Sequence, residues 1–79
     1  FNPTTMIDIN LGEVLTDTPP RLLIHDMLGR EVADLSSDLR SVPGRQTVSF
    51  SAAAIPGGVY TYTLHHGSEA VTRSMIVLK

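Results

Sequence analysis

The run Ile55-Pro56-Gly57-Gly58-Val59-Tyr60-Thr61-Tyr62-Thr63-Leu64 limits what this chain can fold into more than any other stretch. Pro56 pre-sets a turn, and Gly57 and Gly58 admit backbone conformations of positive φ, so the chain enters extended structure at a defined point. From Val59 on, β-branched and aromatic residues dominate. Tyr60, Tyr62 and Leu64 share one parity and Val59, Thr61 and Thr63 the other, the period-2 pattern of a strand with one large apolar face. Tyr60, Tyr62 and Leu64 are therefore assigned to the core. Truncating Tyr62 to alanine is expected to cost about 3–5 kcal/mol, the scale of core aromatic deletions. A tyrosine at the start of such a strand can bury its ring and bond its hydroxyl back to the preceding loop, as at the tyrosine corner of Ig-like sandwiches.

The remaining chain supplies partners for that strand. Residues 1–5, Phe-Asn-Pro-Thr-Thr, lead into a first strand in which Ile7, Ile9 and Leu11 alternate with Met6, Asp8 and Asn10, and Gly12 ends it. Residues 12–20 have loop composition, with Val14-Leu15 able to pair briefly. A second strand over residues 21–27 turns Leu22 and Ile24 inward and Leu23, His25 and Met27 outward. Leu28-Gly29 makes a tight turn to a third strand, residues 30–35, with Val32 inward, so strands two and three are antiparallel neighbours. Residues 36–44 form a loop with room for a helical turn capped by Ser37 or Asp38. A fourth strand over residues 46–51 carries Val48 and Phe50 on one face, and residues 51–55 cross over with Ile55 plugging the core. Residues 65–69 form a hairpin loop around Gly67. The closing strand, residues 70–78, is apolar on both parities near its end, which implies either a strand covered on both sides or one that meets a partner. No segment has helical periodicity. The pattern predicts one domain over residues 1–79, an antiparallel Ig-like β-sandwich of about seven strands.

Composition narrows the function. At 79 residues there is no room for a large enzyme cleft, and 42% hydrophobic with 18% charged residues is a globular balance. No cysteine is present, so disulfides and thiolate metal sites are excluded. A net charge of −2 with six scattered basic residues gives no footprint for nucleic acid. No apolar run approaches the roughly 20 residues of a transmembrane helix, and no signal peptide opens the chain. The absence of an initial methionine reads as a piece cut from a larger protein.

Candidate chemistry is sparse. The serines lie in turns or on strands without a nucleophile-elbow pattern, and no glycine-rich loop precedes a helix. His65 and His66 point to opposite faces if the strand reaches them, so they do not form a metal-gripping pair, and His25 is an outward residue of strand two. Asp8, Asp17, Asp26, Asp34 and Asp38 are spaced as turn residues of a β-fold. No cofactor is expected; Ca²⁺ is the metal these oxygens could hold if a few converged between loops. Asp26, on the inward parity where strand two ends, is placed to accept backbone N–H groups across the Leu28-Gly29 turn.

Five elements in order then form a pattern: Phe1-Asn2-Pro3-Thr4-Thr5 before the alternating Ile7, Ile9 and Leu11; Asp26-Met27-Leu28-Gly29-Arg30-Glu31-Val32; Gly44 before the Val48 and Phe50 strand; Gly58-Val59-Tyr60-Thr61-Tyr62; and the run from Arg73 through Met75, Ile76, Val77 and Leu78 to Lys79. Across essentially its whole length the chain resembles the type A C-terminal sorting domain of the type IX (Por) secretion system of Bacteroidetes and related phyla. The Tyr-Pro dipeptide that often precedes Asn-Pro in that family is missing, and His25 stands where a tyrosine is usual. The resemblance implies a non-catalytic Ig-like module behind a secreted cargo, often a glycoside hydrolase, protease or adhesin. Such a module passes through the periplasm and the outer-membrane translocon and is commonly removed by a sortase-like peptidase that attaches the cargo to the cell surface. The expected partners are the translocon, its attachment components and a covalently linked N-terminal cargo. Recognition is expected at Arg73, Met75, Ile76, Val77, Leu78 and Lys79, and Asp26, Gly29, Gly58, Tyr60 and Tyr62 are the structural motif. Ending at Lys79 fits a domain that closes its parent. Two other readings are the Ig-like domain of flagellar hook-capping proteins, which shares the aspartate–glycine turn and the glycine–tyrosine strand, and a carbohydrate-binding module of an extracellular hydrolase.

Overall fold

The computed structural model describes residues 4–11, 19–40, 42 and 44–78. Among these residues six strands run β1 (Thr4–Asn10), β2 (Arg21–His25), β3 (Glu31–Asp34), β4 (Arg45–Ser51), β5 (Gly58–His66) and β6 (Glu69–Val77), with one 3₁₀ turn at Ser36–Asp38. They form two antiparallel sheets, β1-β4 and β3-β2-β5-β6, stacked as a β-sandwich. The four-stranded sheet has the order of the G-F-C-C′ sheet of an Ig-like domain, and β1-β4 stands where that fold has its B–E pair. The expected number of strands was about seven. Val14-Leu15, which could have paired briefly, lies outside the described residues, as do Gly12 and Asp17.

The core forms where the period-2 faces meet. Ile7 and Ile9 from β1 and Val48 and Phe50 from β4 face Leu22 and Ile24 from β2, Tyr60 from β5 and Val77 from β6, with Ala52 joining from the β4–β5 crossing. Leu22 and Ile24 have no exposed surface. β2 is apolar on three consecutive residues because it is a central strand, so neighbours shield even Leu23, which was expected to face outward but is buried.

Several boundaries differ from the sequence expectation, each for a local reason. β2 stops at His25, two residues early, because Asp26 turns its own backbone. Its N–H donates to the Arg30 carbonyl and its carbonyl accepts from the Gly29 N–H, both at 3.0 Å, closing a three-residue loop with Gly29 at φ 81°. Opposite this turn, Ile24 pairs with Ala33 but His25 pairs with Glu31, so Val32 is an extra residue that bulges β3. The turn at Ser36–Asp38 has Leu35 at its N-cap and no side-chain cap, so neither Ser37 nor Asp38 caps it. Ser36 acts elsewhere: its Oγ accepts the Leu22 N–H at 3.0 Å and ties the turn to the central strand. At the β4–β5 crossing Ala52 is the fully buried residue, and Ile55 is half-buried against the core. The β5–β6 hairpin is tighter than expected. His65 and His66 belong to β5, His66 pairs with Glu69, and Gly67 (φ 63°) and Ser68 alone make the turn.

The parity of the closing strand is settled by its exposures. Val77 is 3% exposed and Met75 packs against the core, whereas Ile76 and Leu78 are 65% and 81% exposed. Among the described residues β6 pairs with β5 alone and stands at the edge of its sheet, so it is not a central strand of that sheet.

Candidate functional site

The two motifs singled out in the sequence meet at one end of the four-stranded sheet. The Asp26–Arg30 turn and the Ile55–Tyr60 crossing face each other across an open cleft of about 540 Å³, lined also by Val32. Each wall is held by a polar device specific to its sequence.

In the turn, the Asp26 carboxylate is the organising group. Its Oδ1 accepts the N–H groups of Leu28 and Arg30, each at 2.9 Å, and its Oδ2 pairs with the Arg30 Nε at 2.8 Å. The Arg30 backbone N–H, then the Arg30 guanidinium and the Leu28 N–H, hold the Asp26 carboxyl below the usual aspartate range against an opposing desolvation effect. All this ties down the backbone and leaves the side chains of Met27 and Leu28 outside, 79% and 78% exposed.

In the opposite wall, Gly58 sits at φ 150°, a conformation open to glycine, and starts β5. Two residues on, the Tyr60 ring is buried and its hydroxyl donates to the Pro56 carbonyl at 2.6 Å. That closes the corner between β4 and β5 in the manner of an Ig-like tyrosine corner. Tyr62 and Leu64 follow on the same parity but are only half-buried, so the expectation of a fully buried Tyr62 is corrected: the two strands of the facing sheet do not reach across this part of β5.

The predicted recognition residues divide by parity. Met75 and Val77 point into the sandwich, Arg73 shares their face, and Ile76 and Leu78 point out. Lys79 lies outside the described residues. Ile76 pairs directly with Val59, itself 42% exposed and part of the cleft wall, so an apolar surface runs from the tip of the Asp26–Arg30 turn through Val59 to Ile76. Exposed apolar surface concentrated at one end of a small domain marks a contact site for another molecule. Beside it runs the outer backbone edge of β6, which no other strand of the described residues pairs with.

The carboxylates and histidines are distributed. Asp8 accepts the Thr47 hydroxyl at 2.9 Å, and Asp34 accepts the Ser36 N–H at 2.9 Å. The side-chain and backbone hydrogen bonds of Ser36 hold the Asp34 carboxyl below its ordinary range. Among the described residues no three His, Asp or Glu side chains come together as metal ligands would. His66 shares the face of Tyr60 and Tyr62, and its Nε2 is buried without a hydrogen-bond partner. No helix among the described residues is long and apolar enough to cross a membrane.

Gln46 was missed in the sequence, where it read as the polar start of strand four. It is buried, on the parity of Val48 and Phe50. Its Oε1 accepts the Arg40 N–H at 2.9 Å, and its Nε2 donates to the Arg40 carbonyl. The available signal was its phase: it stands two residues before Val48 on the inward face.

No family model, curated protein or solved structure matches the chain.

Proposed function

We propose that the chain is a non-catalytic sorting module that directs a cargo protein through the type IX secretion system to the cell surface, with the outer residues of β6 as its contact surface. The observation that supports this reading is the join between Ile76 and Val59, which extends the exposed apolar turn of Met27 and Leu28 to β6, an edge strand among the described residues. A translocon component that reads a folded signal needs such a combination: apolar side chains for affinity and free backbone groups for orientation. The motifs behind the family resemblance, the Asp26 turn and the Gly58–Tyr62 run, build the two walls beside that surface, so their role is to present it. Transit through the periplasm, transfer by a sortase-like component and an N-terminal cargo belong to the same proposal. The carbohydrate-binding reading has less to stand on, since Phe50 and Tyr60 are buried and Tyr62 is half-buried.

The test is export of a reporter fused ahead of residues 1–79 in a host with the secretion system. Deleting the last residues would confuse folding with recognition, because Val77 and Met75 support the core. Ile76→Asp with Leu78→Asp instead changes exposed positions. The folded double variant is expected to remain in the periplasm, and export equal to the parent would overturn the assignment of the surface. If the unaltered fusion is itself retained, the sorting reading fails, and assembly on a flagellar hook becomes the reading to examine.

A further inference from the structure

We propose that the groove between β1 and β6 accepts an extended strand from another protein, one that alternates apolar side chains with a carboxylate, and that this strand completes the sandwich. The groove lies on the inner face, away from Ile76 and Leu78, and the inference does not rest on the export reading.

A two-stranded sheet cannot cover the inner face of a four-stranded one, and the shortfall falls on the β5–β6 hairpin. At one end of that face Tyr60 and Val77 are 6% and 3% exposed. At the other, Tyr62 and Leu64 are half-buried and Val71, paired with Leu64, is 49% exposed. These residues and Ile9 of β1 line an open groove of about 440 Å³. Its flanks are backbone: among the described residues β1 pairs only with β4 and β6 only with β5, so within that set each has an edge able to pair with an additional strand. An inserted strand would draw its hydrogen bonds from such an edge and lay alternate side chains onto Tyr62, Leu64 and Val71.

Charge selects the occupant. Arg45 and Arg73 both line the groove, and neither forms an ion pair among the described residues, where the ion pair is Arg30 with Asp26. The acidic side chain of the groove, Asp8, already accepts a hydrogen bond from Thr47. A carboxylate on the incoming strand would find the Arg73 guanidinium on the inward face and Arg45, an exposed outward-parity residue, at the rim, both groups suited to planar, bidentate pairing. A second copy is a poor occupant at β6. Antiparallel self-pairing in full register would set Arg73 opposite Arg73, and like charges directly opposed on a sheet are destabilising.

The experiment titrates the isotopically labelled chain, residues 1–79, with an end-capped peptide of about ten residues that alternates valine and threonine around a central aspartate, followed by NMR. Amides of β1 and β6 are expected to shift and gain exchange protection while those of β3 do not. Arg73→Glu is expected to weaken binding at least about tenfold, equivalent to about 1.4 kcal/mol, and a peptide with lysine for aspartate should bind that variant better than the parent. Arg45→Glu provides the same reading should Arg73→Glu not fold. The proposal is overturned if no saturable binding occurs, if both charge reversals leave binding unchanged, or if the response lies on β3. It is also overturned if, without peptide, the β1 and β6 edges are already protected, whether in a sedimenting dimer, where a second copy fills the groove, or in a monomer, where the chain fills it itself.

Discussion

The Tyr60 hydroxyl donates to the Pro56 carbonyl across 2.6 Å, bracing the corner that delivers the chain from β4 into β5. The ring and the hydroxyl do separable work. Tyr60→Phe keeps the buried ring and is expected to cost about 1 kcal/mol, the net worth of a hydrogen bond whose acceptor can turn to water. Tyr60→Ala empties a core position and is expected to cost about 3–5 kcal/mol. Tyr62→Ala, at a half-buried position, should cost clearly less than Tyr60→Ala. Urea unfolding of the three variants checks the order, and a Tyr62 effect equal to that of Tyr60 would mean the facing sheet covers β5 along its whole length.

That ordering also shows where sequence reasoning reached and where it stopped. Alternation identified the inward parity of β1, β2, β4 and β5, because each strand packs one face on a single core and period 2 encodes that directly. Alternation carries no information about how far the opposite sheet extends, so Tyr62 and Leu64 looked as buried as Tyr60. For β6 both parities are apolar, and only pairing with β5 decides that Val77 enters the core and Ile76 does not. Leu23 and Gln46 are buried for reasons that lie in neighbouring strands and a distant loop. The exposed surface of Met27, Leu28, Val59 and Ile76 draws on three separate segments and exists only once the hairpins are in place.

Gly29 tests the turn independently of its charges. A β-carbon there would meet no neighbouring atom, so space is not the obstacle; the backbone at φ 81° is. Gly29→Ala is expected to destabilise by about 1–2 kcal/mol, the conformational cost of a left-handed backbone for an L-residue. Gly29→Asn should lose less, since asparagine tolerates that region.

Acid should weaken the fold through Asp26 and Asp34. Both carboxyls are held below their ordinary range when folded, so each contributes stability that is complete above the unfolded value of about 3.9 and is lost as pH falls through the lower folded value. Stability is therefore expected to be insensitive to these groups at neutral pH and to decline below about pH 4. Asp26→Asn retains an acceptor for the turn amides but not the charge facing Arg30, so its denaturation midpoint should fall less steeply with acid than the parent's. Equal acid slopes in parent and variant would refute the assignment of that dependence to Asp26.

Gln46 offers the sharpest test of how the loop before β4 is fixed. Its amide makes a two-way contact with the Arg40 backbone, accepting from the N–H and donating to the carbonyl, from a side chain only 8% exposed. Two replacements separate the halves of that contact. Gln46→Glu keeps the acceptor but brings a carboxylate beside the Arg40 carbonyl with no proton to offer. Gln46→Leu keeps the bulk and removes both bonds, leaving the Arg40 groups to water. Because an unpaired buried polar group costs about 1–3 kcal/mol while an apolar replacement of similar shape avoids that penalty, Gln46→Leu is expected to be the more stable of the two at neutral pH. Urea midpoints rank the variants, and hydrogen exchange at the Arg40 amide identifies the cause: it should accelerate in Gln46→Leu and stay protected in Gln46→Glu. If Gln46→Glu proves as stable as the parent, the donor half of the contact contributes nothing and the loop is held by the Arg40 N–H alone.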